Sequence, residues 1–195
     1  MEMNFTANHL SHFLLTNLLL PHLQANPTGN SRVVTLTSSV HHVATKGIQF
    51  DDLMFTQGYE MFACYGHSKL ANILFVKELQ TRLDNAKEKK AKVFSYAVHP
   101  GCVRTEVTRN MSAFMQIGNA MATPIMIFLQ KTPSEGAYCT LHVLLNDHSE
   151  AEKGGYFFHG QAVSSSKISY DMKMAKRLWE VSEELTGFNK VTNKQ

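Results

Sequence analysis

What this chain has little of narrows its function early. Charged residues make up only 18% of its 195 positions and the net charge is +3, too mild a balance for gripping a phosphate backbone, so no nucleic acid is expected as a partner. The basic residues are scattered. One short group, Lys87, Lys89 and Lys90, is interrupted by Glu88 and reads as a solvated turn. No stretch reaches the ~18 uninterrupted apolar residues of a membrane-spanning helix. The three cysteines, Cys64, Cys102 and Cys139, are odd in number, which excludes a complete disulfide framework and suits free thiols in a reducing compartment. Histidine is more plentiful, with His9 and His12 three apart and His41 beside His42. No cysteine or carboxylate set converges on them in the sequence, so no metal site is expected. Linkers, repeats and low-complexity segments are also missing. What remains is 44% hydrophobic, enough for a single domain, 1–195, with a real core.

Hydrophobic periodicity places the elements. Apolar residues at Phe5, Leu10, Phe13, Leu14, Leu18, Leu19 and Leu23 predict a helix over Met3 to Leu23, with Asn8 inside it as an interior residue of modest helix propensity. Arg32 to Thr37 is β-branched and short, a buried strand of parallel type, with Ser38 and Ser39 at its carboxyl end. Leu70, Ile73, Leu74, Leu79 and Leu83 predict a second helix headed by Tyr65. A charged turn, 84–90, leads to a strand over Ala91 to Val98, and Pro100-Gly101 then marks a sharp turn. Thr132, Pro133 and Glu135 open a helix to about Asn146 with a capping box. Gly154 to Phe158 is a last short strand. A terminal helix over Asp171 to Leu185 has Leu178, Trp179 and Val181 to pack, with Gly187 to end it. Residues 189–195 are a polar tail. Strand, helix, strand is the rhythm of an α/β fold.

The chemistry concentrates at Tyr65-Gly66-His67-Ser68-Lys69. On a helix, residues four apart share a face, so the phenol and the ammonium can address one small volume. A nearby ammonium favours the phenolate and is expected to lower the tyrosine pKa from about 10 toward working pH, where it serves as a general acid or base. A serine at a strand's carboxyl end can donate to a substrate oxygen, and ligands of open α/β sheets bind at that end. Thr105 adds a hydroxyl beyond the second strand.

Asn8, Ser39, the Tyr65/Lys69 pair and Pro100-Gly101 with Thr105 stand in an order that resembles the short-chain dehydrogenase/reductase family. NHLSHFLLTNLLLP, VVTLTSSVHH, YGHSKLANILF and YAVHPGCVRT resemble its retinol-dehydrogenase-like branch over nearly the whole chain. The resemblance implies the C-terminal part of a doubly wound, parallel-sheet Rossmann fold, with the first strands and the Gly-rich turn missing. It implies hydride transfer between a nicotinamide cofactor, NADP or NAD with NADP favoured, and an alcohol/carbonyl pair. Carried over residue by residue, Tyr65 exchanges the proton and Ser39 orients the substrate oxygen. Lys69 lowers the Tyr65 pKa and contacts the nicotinamide ribose, and Asn8 holds a water linking Lys69 to solvent. Pro100, Gly101, Val103 and Thr105 line the cofactor. The helices beginning near Met3 and Tyr65 resemble those of the family's common dimer interface, which implies a homo-oligomer.

No Gly-x-Gly-x-x-Gly occurs in the chain, so the usual pyrophosphate cradle is not encoded in it. The expectation is weak cofactor binding by this chain alone, and a strand at 32–37 that forms a sheet edge. Met111 to Leu129, within a substrate loop at about 104–130, is rich in methionine and other large apolar residues. It suits a lipophilic alcohol or aldehyde, or a membrane surface. The branch implies a cytoplasmic-facing, membrane-associated location for a longer product. Two functions stay open: an oxidoreductase on lipophilic substrates, and an inactive form that pairs with a full-length subunit.

Overall fold

The computed structural model describes residues 2–27, 29–86, 92–103, 130–148 and 152–189. The substrate-loop expectation, Thr105 and the polar tail beyond Asn189 lie outside them. Four strands form one sheet in the order β1 (Ser31–Leu36), β2 (Val93–His99), β3 (Tyr156–Phe158) and β4 (Gln161–Val163). The first three are parallel, and β4 returns antiparallel to β3 across a tight turn at His159 and Gly160. That hairpin partner was not read from the sequence, because Gln161-Ala162-Val163 is too short to show a period.

The first helix, α1, is a continuous run of three segments. An α-helical Met3–Phe5 and Ser11–Gln24 flank a π-helical Thr6–Leu10 that contains Asn8. Its first turn is capped by the Glu2 carboxylate, which accepts from the backbone N–H groups of Asn4 and Phe5, favourable at a positive helix end. Helix α2 (Met61–Asp84) starts one turn ahead of Tyr65. Helix α3 (Pro133–Leu145) has the predicted capping box between Thr132 and Glu135. Helix α4 (Met172–Thr186) is capped by Asp171 and stopped by Gly187 at φ 67°.

Side-chain alternation along β2 explains the layering. Phe94, Tyr96 and Val98 face α3, where they meet Cys139 and Val143. Ser95 and Ala97 face the other way: Ala97 joins the core with Ile73, Val76 and Leu79 of α2, and Ser95 donates to the Val76 carbonyl at 2.8 Å. The result is helix, sheet, helix, a doubly wound arrangement with a mixed sheet.

Helix α4 packs on both helices. Ala175, Leu178 and Trp179 sink into the groove between α1 and α2, and Trp179 meets Phe13 at 4.9 Å and Phe75 at 5.7 Å between ring centroids. The predicted apolar face of α1 is split. Phe5, Leu10 and Phe13 are buried, whereas Leu18 and Leu19 are 45% and 46% exposed together with Leu15. Strand β1, as expected, is an edge of the sheet among the described residues. None of the described helices is long and apolar enough to cross a membrane.

Candidate active site

The carboxyl ends of β1 and β2 open onto the first turns of α2. Strand β1 leads through Thr37 and Ser38 into a 3-10 turn, Ser39–Val43, which packs against α2 at Gly66. The fit needs glycine: a Cβ at Gly66 would stand 2.6 Å from the Val40 carbonyl oxygen. The turn is held from its other side by His41, whose Nδ1 lies 2.6 Å from the Ser38 carbonyl and whose Nε2 accepts from the Ser166 N–H at 3.0 Å.

The two serines stand side by side at the end of β1: Ser38 is half-buried and close enough to Tyr65 to pull its pKa down, while Ser39 is exposed. Period-two alternation from the buried Thr35 and Thr37 would aim Ser39 at α2. The strand ends before that, however: Ser38 is extended at φ −152° and Ser39 already begins the 3-10 turn. The Ser38 hydroxyl also accepts from the Val40 N–H, at 3.3 Å, capping that turn.

Tyr65 and Lys69 do share a face, with the ammonium 5.5 Å from the ring centroid. Lys69 is 8% exposed, and its Nζ donates to the Leu36 carbonyl at 3.2 Å. Burial pushes its pKa down. The expectation that Lys69 lowers the Tyr65 pKa is not met in this arrangement. Burial raises the phenol, and the opposing pull comes from the nearby Ser38 side chain. The reason is geometric: the ammonium lies over the ring and points at Leu36 rather than at the hydroxyl.

Asn8 reaches α2 one residue ahead of Lys69. Its Nδ2 donates to Ser68 Oγ at 3.1 Å, and that hydroxyl donates to the Tyr65 carbonyl at 2.8 Å. The π turn that carries Asn8 is a form concentrated at functional sites. Two residues absent from the sequence reading belong to this neighbourhood. Thr37 Oγ1 donates to the Lys69 carbonyl at 2.8 Å, and Asn72 Nδ2 donates to the Leu36 carbonyl at 3.0 Å. The regular spacing of Lys69 and Asn72 on α2 could have flagged the second.

Across the crevice, Pro100 and Gly101 follow β2, with Gly101 at φ 92° and Lys131 filling the space where a Cβ would stand. Val103 bridges Lys131, and the Lys131 N–H donates to the Cys102 carbonyl at 2.7 Å. The chain therefore leaves at 103 and returns at 131 through a closed neck. His99 stacks on Phe158 at 4.8 Å, and burial and neighbouring cations lower its pKa to about 4. Among the described residues no three histidine, cysteine or carboxylate side chains converge as metal ligands.

No family model matches the chain. It is 40% identical to mouse retinol dehydrogenase 12 over 186 residues, covering 95% of this chain and 54% of the relative. Human retinol dehydrogenase 14 is 36% identical over 189 residues, with 97% and 53% covered. Human polyprenol dehydrogenase is 34% identical over 193 residues, with 98% and 56% covered. The chain thus spans about half the length of the curated relatives it matches. A crystal structure of an uncharacterised protein from Mycobacterium Paratuberculosis superposes with a TM-score of 0.67 at 32% identity, over 94% of this chain and 58% of that one.

Proposed function

We propose, from the premise that this chain belongs to the retinol-dehydrogenase-like branch of the short-chain dehydrogenase/reductase family, that its site interconverts a lipophilic alcohol and its carbonyl compound with a nicotinamide cofactor. The observation that carries the reading is Tyr65 and the buried Lys69 on one face of α2, beside the serine-bearing turn at the carboxyl ends of parallel strands.

The residues present fit the nicotinamide end of such a cofactor. Pro100 and Gly101 close one wall of the crevice, and the side chain of Lys131 lies against Gly101 there, a cation beside the place of the cofactor. Tyr65 and Lys69 form the other wall. The adenosine and pyrophosphate end needs a Gly-rich turn ahead of a helix, and the sequence contains none. A bound nicotinamide supplies or accepts the hydride. In the reductive direction the Tyr65 hydroxyl gives its proton to the substrate oxygen, and in the oxidative direction it takes that proton back. A serine hydroxyl at the end of β1, that of Ser39 by resemblance with Ser38 beside it, is able to both donate and accept; it bonds the same oxygen and fixes its distance from Tyr65. Lys69 stabilises the phenolate once its ammonium turns from Leu36 toward the hydroxyl, and Asn8 steadies that turn of α2 through Ser68. NADP, rather than NAD, follows from resemblance alone.

Substrate class comes from the relatives, whose names specify retinol and polyprenol. The test is a titration with NADPH and NADH, following nicotinamide fluorescence. It compares this chain with a fusion that supplies a Gly-rich βαβ half at its N-terminus. The fusion should bind tightly and reduce retinal, and Tyr65→Phe should abolish turnover while sparing binding. Retained turnover in Tyr65→Phe would overturn the reading. Tight binding by the present chain would overturn the expectation that it holds cofactor weakly.

One observation favours the second reading, an inactive form that pairs with a longer relative. The outer edge of β1 is unpaired among the described residues, and Leu36 at its end is 45% exposed. Such pairing would use that edge, since α4 occupies the groove between α1 and α2. Light scattering of a mixture with a full-length relative distinguishes the two readings.

A further inference from the structure

The peptide that joins the two serines is gripped from behind by one residue. The Ser38 carbonyl accepts from the His41 backbone N–H at 3.1 Å and lies 2.6 Å from His41 Nδ1. A carbonyl oxygen has two acceptor directions and can only accept. His41 therefore takes both, and Nδ1 must carry the ring proton. The other ring nitrogen gives the same answer independently. Nε2 stands 3.0 Å from the Ser166 backbone N–H, a group that can only donate, so Nε2 is the bare nitrogen. An imidazole with one donating and one accepting nitrogen is neutral. The ring is fully buried, with the His42 ring at 4.1 Å and the Tyr156 ring edge-on at 5.2 Å between centroids. Burial lowers its pKa, so the neutral form that the two bonds require is also the one its surroundings favour.

A fixed carbonyl fixes the plane of its peptide. The tilt of that plane is shared by ψ of Ser38 and φ of Ser39, so it governs where both serine side chains point, just where β1 ends and the 3-10 turn begins. On the front, Val40 and Val43 only rest against Gly66 of α2, a contact without direction. The directional hold comes from His41, which is anchored in turn by a segment far along the chain. Ser166 precedes the 3-10 turn Lys167–Tyr170. Its carbonyl accepts from the Ser169 N–H at 3.0 Å and from the Ser169 hydroxyl at 2.7 Å, and the Ser165 and Ser169 hydroxyls lie 2.6 Å apart. We propose that His41 is a positioning residue for the serine hydroxyl at the end of β1, and that the turn at Ser166 holds its ring in the one tautomer able to do so. His41 acts through the Ser38–Ser39 peptide rather than on the substrate. The hydrogen-bond grip stands by itself, whereas its bearing on catalysis rests on the function proposed above.

Two substitutions separate the two ring bonds. Asparagine places an amide N–H where Nδ1–H stands but is too short to reach Ser166. Glutamine reaches as far as Nε2 with its carbonyl oxygen but leaves the place of Nδ1 empty. In the 195-residue chain, long-range proton–nitrogen spectra near neutral pH report the His41 tautomer, and amide exchange reports the Ser166 N–H. Tyrosinate absorbance, measured against Tyr65→Phe, reports the serine's hold on the phenol. The unsubstituted ring should carry hydrogen on Nδ1 alone, and the Ser166 amide should be protected. His41→Gln should keep that protection yet raise the Tyr65 pKa as far as Ser38→Ala does. His41→Asn should speed Ser166 exchange about tenfold, the scale of one lost hydrogen bond, and leave Tyr65 in place. A merely structural role would move Tyr65 alike in both variants, through lost packing. Hydrogen on Nε2 in the unsubstituted protein overturns the grip, and this one spectrum decides it even where a variant fails to fold. Equal Tyr65 titration in the two folded variants overturns the positioning role. In the fusion with a Gly-rich half, His41→Gln should lower kcat on the order of 10²-fold, the scale of a misplaced reacting group, with KM little changed, and His41→Asn should recover it. If the tautomer and exchange results hold and the unsubstituted fusion is inactive, the catalytic reading fails and the grip stands.

Discussion

Ser38 stands close enough to Tyr65 to favour its phenolate, while Ser39, the next residue along, is exposed. A donor near the phenol oxygen favours phenolate, so Ser38 pulls the Tyr65 pKa down against burial. Ser38→Ala should therefore raise the pKa of Tyr65 further, and Ser39→Ala should leave it in place. A difference titration of tyrosinate absorbance against Tyr65→Phe measures both. In a form that turns over, Ser38→Ala should also cost about 10²-fold in kcat, the scale of losing one donor to a reacting oxygen.

Gly66 allows the serine-bearing turn to rest on α2. A methyl group there would meet the Val40 carbonyl at 2.6 Å, a backbone atom that cannot swing aside. Gly66→Ala should destabilise by about 1–3 kcal/mol, as overpacking does, and should separate Ser38 from Tyr65. Urea denaturation and the same tyrosinate titration check the two parts.

Trp179 is the anchor of α4. It is 5% exposed, packs on Phe13 and Phe75, carries the Arg82 guanidinium 4.3 Å from its ring, and donates to Glu183 at 2.8 Å. Trp179→Ala should cost about 3–5 kcal/mol. It should also uncover the groove between α1 and α2, which concentration-dependent self-association in sedimentation would reveal.

Buried histidines set an acid limit to stability. Burial lowers His67 to about 4 and His9 to about 3, against about 6.5 in an unfolded chain. Between those values the unfolded state binds more protons, so stability rises with pH. The contribution is complete above pH ~6.5 and is lost as pH falls toward 4, at about 1.4 kcal/mol per pH unit for each site. Denaturation midpoints at pH 7, 6 and 5 should trace this slope. His67→Gln, which keeps an acceptor for the Gln49 N–H that His67 Nε2 now takes, should flatten it by one site's share.

Much of the fold was legible because local signals and burial agree. The capping box at Thr132 and Glu135, the αL stop at Gly187 and the β-branched run of β1 each point to one local structure. What escaped the sequence depends on where periodicity stops or on partners far along the chain. Two adjacent serines cannot be told apart until the end of β1 and the start of its 3-10 turn are fixed. The tyrosine–lysine spacing showed a shared face but not where the ammonium points, since the competing acceptor, Leu36 O, lies 33 residues away. The exposure of Leu18 and Leu19 reflects α4 covering only one side of α1, which no window within α1 contains.

The neck formed by Val103 and Lys131 fixes two distant points of the chain to each other. A parallel bridge and the Lys131-to-Cys102 hydrogen bond close the backbone there, so the end of β2 is tied directly to the start of α3 at the mouth of the crevice.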